Sequence, residues 1–151
     1  EMEAGRIARN VKNLTLLSQL WQQAREHKRA IPVLQSAAQS ASDGELFYRL
    51  GQVLLADEQY TAADRALTQA LNKGGMNAQR TGDAWLLIGT ARFSAAKPED
   101  CEQRSRARQA FVNAQRYPAS ARQAADWVRY IDAITQTLDA QDKLEQQQNE
   151  D

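Results

Sequence analysis

Two glycines constrain what this chain can fold into. Gly51 and Gly89 each stand in the middle of an apolar run spaced for a helix, where glycine costs roughly 1 kcal/mol relative to alanine. Around Gly51, residues Leu46, Phe47, Leu50, Val53 and Leu54 recur every three or four positions, as on one buried helix face. A glycine kept in such a place argues for a second backbone closer than a side chain would permit. That second backbone follows directly. Asp57-Glu58-Gln59 interrupts the apolar pattern, and Tyr60, Ala63, Ala66, Leu67, Ala70 and Leu71 then form another stripe, which Gly74-Gly75 ends. Gly44 to Lys73 reads as a helical hairpin, with Gly51 and Ala63 at the crossing and Asp43 placed to cap its first helix.

Weaker copies flank this hairpin. Upstream, Leu14, Leu17, Ser18 and Trp21 share one helix and His27, Ala30, Leu34 and Ala37 the next. Ser18 replaces the glycine and His27 stands where Tyr60 would. Pro32 falls in or just after the first turn of that second helix, where its missing amide costs least. Downstream, a polar loop from Gly74 to Gly82 leads to Trp85, Leu86, Leu87, Ile88, Gly89, Ala91 and Phe93, with Thr81 or Asp83 as the expected cap. Ala107, Ala110, Phe111 and Ala114 mark the returning helix, ended by Tyr117-Pro118. Gly51 to Leu67 spans 16 residues and Gly89 to Phe111 spans 22, so six additional residues fall within Ala96–Ser105. Ala124, Trp127, Tyr130, Ile131, Ile134 and Leu138 make a closing helix.

The expected architecture is therefore all-α. One domain over residues 1–138 holds antiparallel hairpins at about 11–42, 43–77 and 81–118 and a capping helix over 120–138. A polar tail over 139–151 is expected to fray. The opening segment EMEAGRIARN reads as the middle of a helix, which suggests a piece of a longer protein.

Function classes are narrowed mainly by exclusion. The net formal charge is zero, which argues against nucleic acid as the main partner. No apolar run approaches the roughly 18 residues needed to cross a membrane. One cysteine and one histidine fall short of a zinc site, and the single His27 is expected in packing rather than catalysis. No glycine-rich phosphate loop is present, and the triplet Asn13-Leu14-Thr15 lies on a helix. Arg104, Arg106 and Arg108 read as a solvated outer face. The expectation is a non-enzymatic protein without cofactor or metal.

Phe47, Leu50, Gly51, Leu54, Tyr60, Ala63, Leu67 and Ala70 stand at the intervals of the tetratricopeptide repeat, a helix–turn–helix unit of roughly 34 residues that the chain resembles. The resemblance implies a short right-handed superhelix whose first helices line a hollow face, where ligands of that family lie. Residues beside the core stripe would face it: Thr15, Gln19 and Gln22; Tyr48, Arg49, Gln52 and Leu55; Leu86, Thr90 and Phe93; Arg129 and Asp132. Leu86 and Phe93 have a second reading, internal packing against the closing helix. Family members that grip a C-terminal carboxylate use Lys, Asn and Arg on this surface; Thr15, Gln19 and Arg49 stand there, so that clamp is absent but for one arginine. Segments such as DGELFYRLGQVLLADEQY, DAWLLIG and ADWVRYI further resemble the C-terminal region of proteobacterial repeat proteins, some associated with TonB-dependent systems. That implies a periplasmic or other cell-envelope scaffold that binds a protein or peptide. The alternative is a structural module that forms homo-oligomers.

Overall fold

The computed structural model describes the backbone of residues 2–23 and 25–150, and the side chains among them from Val11 onward. Among the described residues seven helices follow in order: α1 (Met2–Gln23), α2 (His27–Ser40), α3 (Glu45–Ala56), α4 (Tyr60–Lys73), α5 (Ala78–Ala95), α6 (Cys101–Ala114) and α7 (Pro118–Asn149). No strand occurs among the described residues, so the chain is all-α as its apolar spacing predicts. Each helix packs on the next in sequence. In addition α3 packs on α5 and α5 on α7, whereas the even-numbered helices show no packing of that extent on one another.

The central hairpin forms where the sequence places it. Asp43 accepts a hydrogen bond from the Glu45 amide at 3.0 Å, at the start of α3. Asp57–Gln59 makes the bend, with Glu58 in the left-handed region at φ 59°. Gly74, at φ 69°, closes α4 and donates its amide to Ala70. At Gly51 a Cβ would lie 2.6 Å from Leu67 Cδ2, and at Gly89 it would lie 2.6 Å from Phe111 Cε1. Both partners are fully buried, and so are Ala63 and Ala107. The same missing methyl seats α3 on α4 and α5 on α6.

Burial gathers into two clusters. The larger runs from α2 to α6, with Leu34, Leu67 and Ile88 at its heart. The smaller joins α5, α6 and α7 around Phe111 and Ile131. Trp85 packs against both.

Several local expectations are sharpened or corrected. The described part of the first helix runs from Met2, as the helical reading of the opening segment expects, so it extends ahead of the approximate unit boundary at 11. Pro32 is the sixth residue of α2, just after its first turn as expected, but deep enough that the Lys28 carbonyl loses its helical donor. The loop after α4 ends at Asn77, whose side chain accepts from the Arg80 amide at 2.8 Å. Neither Thr81 nor Asp83 caps α5. Gly82 is inside that helix and buried, since a Cβ there would lie 2.6 Å from Ser120 Oγ and 2.7 Å from Tyr117 Cβ. The six additional residues of the third hairpin are shared among one more in α5, two in the bend and three before Phe111 in α6. Finally, α7 runs past Leu138 to Asn149, although every residue from 139 to 150 is exposed. Leu, Glu, Gln and Lys favour helix, neither Gly nor Pro interrupts them, and extending a formed helix needs no new nucleus.

Replacing Gly51 with alanine tests the close approach. In an open helix the change would stabilise by about 1 kcal/mol; here it should destabilise by about 1–3 kcal/mol, because Leu67 has nowhere to go. Leu67→Ala alone should cost about 2–5 kcal/mol, and the double variant less than the sum of the two. Urea unfolding of the four proteins measures this, and a stabilised Gly51→Ala would refute the packing account.

Candidate functional site

With Gly51 turned to α4 and Leu46, Leu50 and Val53 buried, the face of α3 left over is Glu45, Arg49, Gln52 and Ala56. Arg80 reaches this row from α5. Its guanidinium sits 4.7 Å over the Tyr48 ring and 3.1 Å from Glu45 Oε1, while Arg49 holds Glu45 only at 3.9 Å. Gln52 Nε2 donates to the Tyr48 hydroxyl at 3.1 Å. Tyr48 is therefore 3% exposed. The sequence offers it as an anchor on the hollow face; the structure makes it a floor beneath Arg80. The reason is the early start of α5 at Ala78, which puts Arg80 on a helix beside α3 instead of in a loop.

At the other end, α5 meets α7 through aromatic rings. Trp127 stacks on Phe111 at 4.9 Å with planes 4° apart, and Phe93 lies edge-on to Trp127 at 5.3 Å. Tyr130 touches both Phe93 and Trp127 yet is 54% exposed. Beside it an open depression of about 270 Å³ is lined by Gln123, Asp126, Trp127 and Tyr130. Of the two readings for Leu86 and Phe93, the structure takes internal packing: Leu86 is buried and Phe93 half-buried, both in the α5–α6–α7 cluster.

The remaining candidates are scattered. The Thr15 hydroxyl donates to Val11 O at 2.7 Å and that of Thr90 to Leu86 O at 2.9 Å, each within its own helix. Gln19 is half-buried, as is Gln22, whose Nε2 is buried without a hydrogen-bond partner. Leu55 packs against the larger core. Arg129 is exposed and pairs with Asp126 one turn back. Asp132 points to α6 instead of the hollow face: Arg108 Nε reaches it at 2.7 Å and Nη2 at 3.2 Å. Hydrogen bonding by Arg108, and then its charge, hold the Asp132 carboxyl below the usual carboxylate range.

Arg104 also corrects the sequence reading. Far from solvated, it is buried, donating to Pro98 O at 2.9 Å, Cys101 Sγ at 3.4 Å and Thr135 Oγ1 at 3.4 Å. It ties the long bend before α6 to α7. Its spacing from Ala107 and Phe111 was the available signal, since the three share a helix face. Arg80 and Trp127 were likewise missed as site residues. Trp127 stands three residues from Tyr130, on the same face.

The arrangement thus brings Arg49 and Gln52 together over Tyr48 and Arg80, and sets Tyr130 over an aromatic stack. Such groups hydrogen-bond and stack. Among the described residues no group of three or more His, Cys, Asp or Glu is placed to hold a metal, and no helix is long and apolar enough to cross a membrane. No protein-family model matches the chain, and no curated protein is significantly similar to it.

The Arg108–Asp132 contact has a pH signature. Because the folded-state pKa of Asp132 is lowered, its contribution is complete above the ordinary carboxylate range and is lost as pH falls through the lowered value. Asp132→Asn should melt below wild type at neutral pH, and the gap should close as the solution is acidified. Thermal melts followed by circular dichroism check this; a gap constant down to strong acid would show that the pair does not act through charge.

Proposed function

We propose that the chain is a non-enzymatic scaffold of tetratricopeptide type, which docks a segment of another protein across the exposed face of α3, α5 and α7. The observation that carries this reading is the pairing of a polar row, half-buried Arg49 and exposed Gln52, with the open depression at Trp127 and Tyr130. Of the odd-numbered helices, α3 approaches α5 and α5 approaches α7, while α2, α4 and α6 show no packing of that extent on one another. That supports a curved stack with the odd layer inside, as in a right-handed superhelix of hairpins. Half-exposed Tyr and Arg are the residue types that anchor interfaces.

The expected ligand is an extended or helical segment with one apolar side chain for the depression and polar groups for Arg49 and Gln52. The carboxylate clamp of some family members is not part of the proposal, because Thr15 and Gln19 are engaged or half-buried on α1. The cellular setting, a periplasmic or envelope location beside a TonB-dependent system, rests on the sequence resemblance alone. A catalytic role has no support in the lone His27 and exposed Cys101.

Arg49→Ala, Gln52→Ala and Tyr130→Ala together should leave the helical spectrum and melting temperature near wild type, since all three are at least partly exposed. Wild type and triple variant serve as baits on envelope extracts, and the affinity of any protein enriched by wild type is then measured in purified form. Interface anchors cost upwards of about 1 kcal/mol each on truncation, so the variant should bind it at least about tenfold more weakly. Equal capture and equal affinity would overturn the proposed surface.

A further inference from the structure

The three hairpin-forming helices share a register, and one of them breaks its pattern of burial. Counting from the small residue at each crossing, Leu50 and Val53 flank Gly51 as Ile88 and Ala91 flank Gly89, and as Leu17 and Leu20 flank Ser18. On α3, Leu50 and Val53 are buried, and Leu50 shares a cavity wall with Ile31 and Gln35 of α2. On α5, Ile88 and Ala91 are fully buried on the side where Arg92 pairs with Asp64 of α4 at 3.0 Å. In both, the helix before covers the pair. On α1, Leu17 is 39% and Leu20 61% exposed, and Leu16 beside them is 52% exposed. Among the described residues α1 packs to this extent on α2 alone, through its opposite side with Ser18, Leu14 and Trp21.

We propose that this leucine face of α1 docks an amphipathic, acidic helix of another protein, seated as α2 sits on α3 and α4 on α5. The shape follows from continuity with those two interfaces, where the covering helices bury alanine-rich stripes: Ala30, Leu34 and Ala37 in α2, Ala63, Ala66 and Ala70 in α4. The charge follows from the sequence around the face. Along α1 (Met2–Gln23) the chain carries Arg6, Arg9 and Lys12 against Glu3 alone, in a protein whose total charge is zero. A helix with Asp or Glu flanking an apolar stripe complements that excess. This surface differs from the one proposed for the α3–α5–α7 face, since it involves none of Arg49, Gln52 or Tyr130.

The probe is a hydrocarbon-stapled peptide of the Tyr60–Lys73 sequence carrying Thr61→Glu, Arg65→Glu and Asn72→Glu, all at positions exposed in α4. A control peptide carries Thr61→Lys and Asn72→Lys instead. Wild-type protein should bind the acidic probe more tightly than the control, with the difference shrinking as salt is raised. Leu17→Lys with Leu20→Lys should weaken binding by about tenfold or more, while the Tyr130→Ala variant binds as wild type does. Leu20→Lys alone, at the most exposed of the three, serves if the double variant melts early. Failure of the acidic probe to bind, or equal affinity for wild type and the lysine variants, would overturn the proposal. So would a leucine-dependent dimer in sedimentation that excludes the probe, which would assign the face to a second copy. Leucine-dependent binding to anionic phospholipid vesicles without probe binding would assign it to a membrane surface.

Discussion

The distance between paired helices here is set by a methyl group that is missing. At Gly51 the space a Cβ would need is filled by Leu67, and at Gly89 by Phe111. The fill is larger in the third hairpin, and this matters beyond it. Phe111 comes through far enough for Trp127 of α7 to stack flat on it at 4.9 Å, and Trp127 in turn seats Phe93 and Tyr130. The close approach inside one hairpin thus determines how the last helix lies against it. A longer bend and three more residues in α6 accommodate the bulk, and buried Arg104 holds that bend by its bond to Pro98 O. A guanidinium makes this possible because it can spend several donors at once, on a carbonyl, a hydroxyl and a sulfur, from one planar group.

A second dependence runs from a cap to the candidate surface. Asn77 stops the loop after α4 by accepting from the Arg80 amide, so α5 begins a turn before the apolar stripe. That turn brings Arg80 back over Tyr48 and onto Glu45. Two outcomes follow. Tyr48 becomes a buried support, with its hydroxyl taken by Gln52. Arg49, holding Glu45 at the longer distance of 3.9 Å, is left as the cation of the row with the weaker hold. A single side-chain cap thereby decides which residues the surface offers and which it hides.

Periodicity made the helices legible, and the two glycines made their pairing legible. The alignment of Phe111 with Leu67 could be read from spacing alone because a close approach leaves a mark in composition. What could not be read is what one helix places on the next. Tyr48 sits at the edge of its stripe, and only the arrival of Arg80 from 32 residues away decides that it is buried. Asp132 and Arg108 are each one of many surface charges, and nothing local marks them as partners. Gly82 looked like loop because glycine commonly is; its reason, the nearness of Ser120 and Tyr117, belongs to a segment far along the chain. The long helix past Leu138 was missed for the opposite reason. Its polarity argued against order in the absence of packing, but a helix already anchored by Trp127 and Ile131 extends at little cost.

The two ends of the stack are finished differently, and the difference is physical. At the α7 end the rings of Phe111 and Trp127 close the core, and the far side of the helix carries Arg122, Arg129 and Gln136, all exposed and all content in water. A stack of repeats needs such a polar outer face where it meets solvent. Among the described residues the leucine face of α1 lacks one. There Leu17 and Leu20 keep the apolar character of Leu50 and Val53 without their cover. Scattered exposed leucines need no explanation; Leu17 and Leu20 do, because they stand at positions that α3 and α5 bury, and exposed Leu16 widens their face. The internal repeat itself supplies the reference state against which that exposure is abnormal, and it specifies the shape that would relieve it: a helix lying where α2 lies on α3.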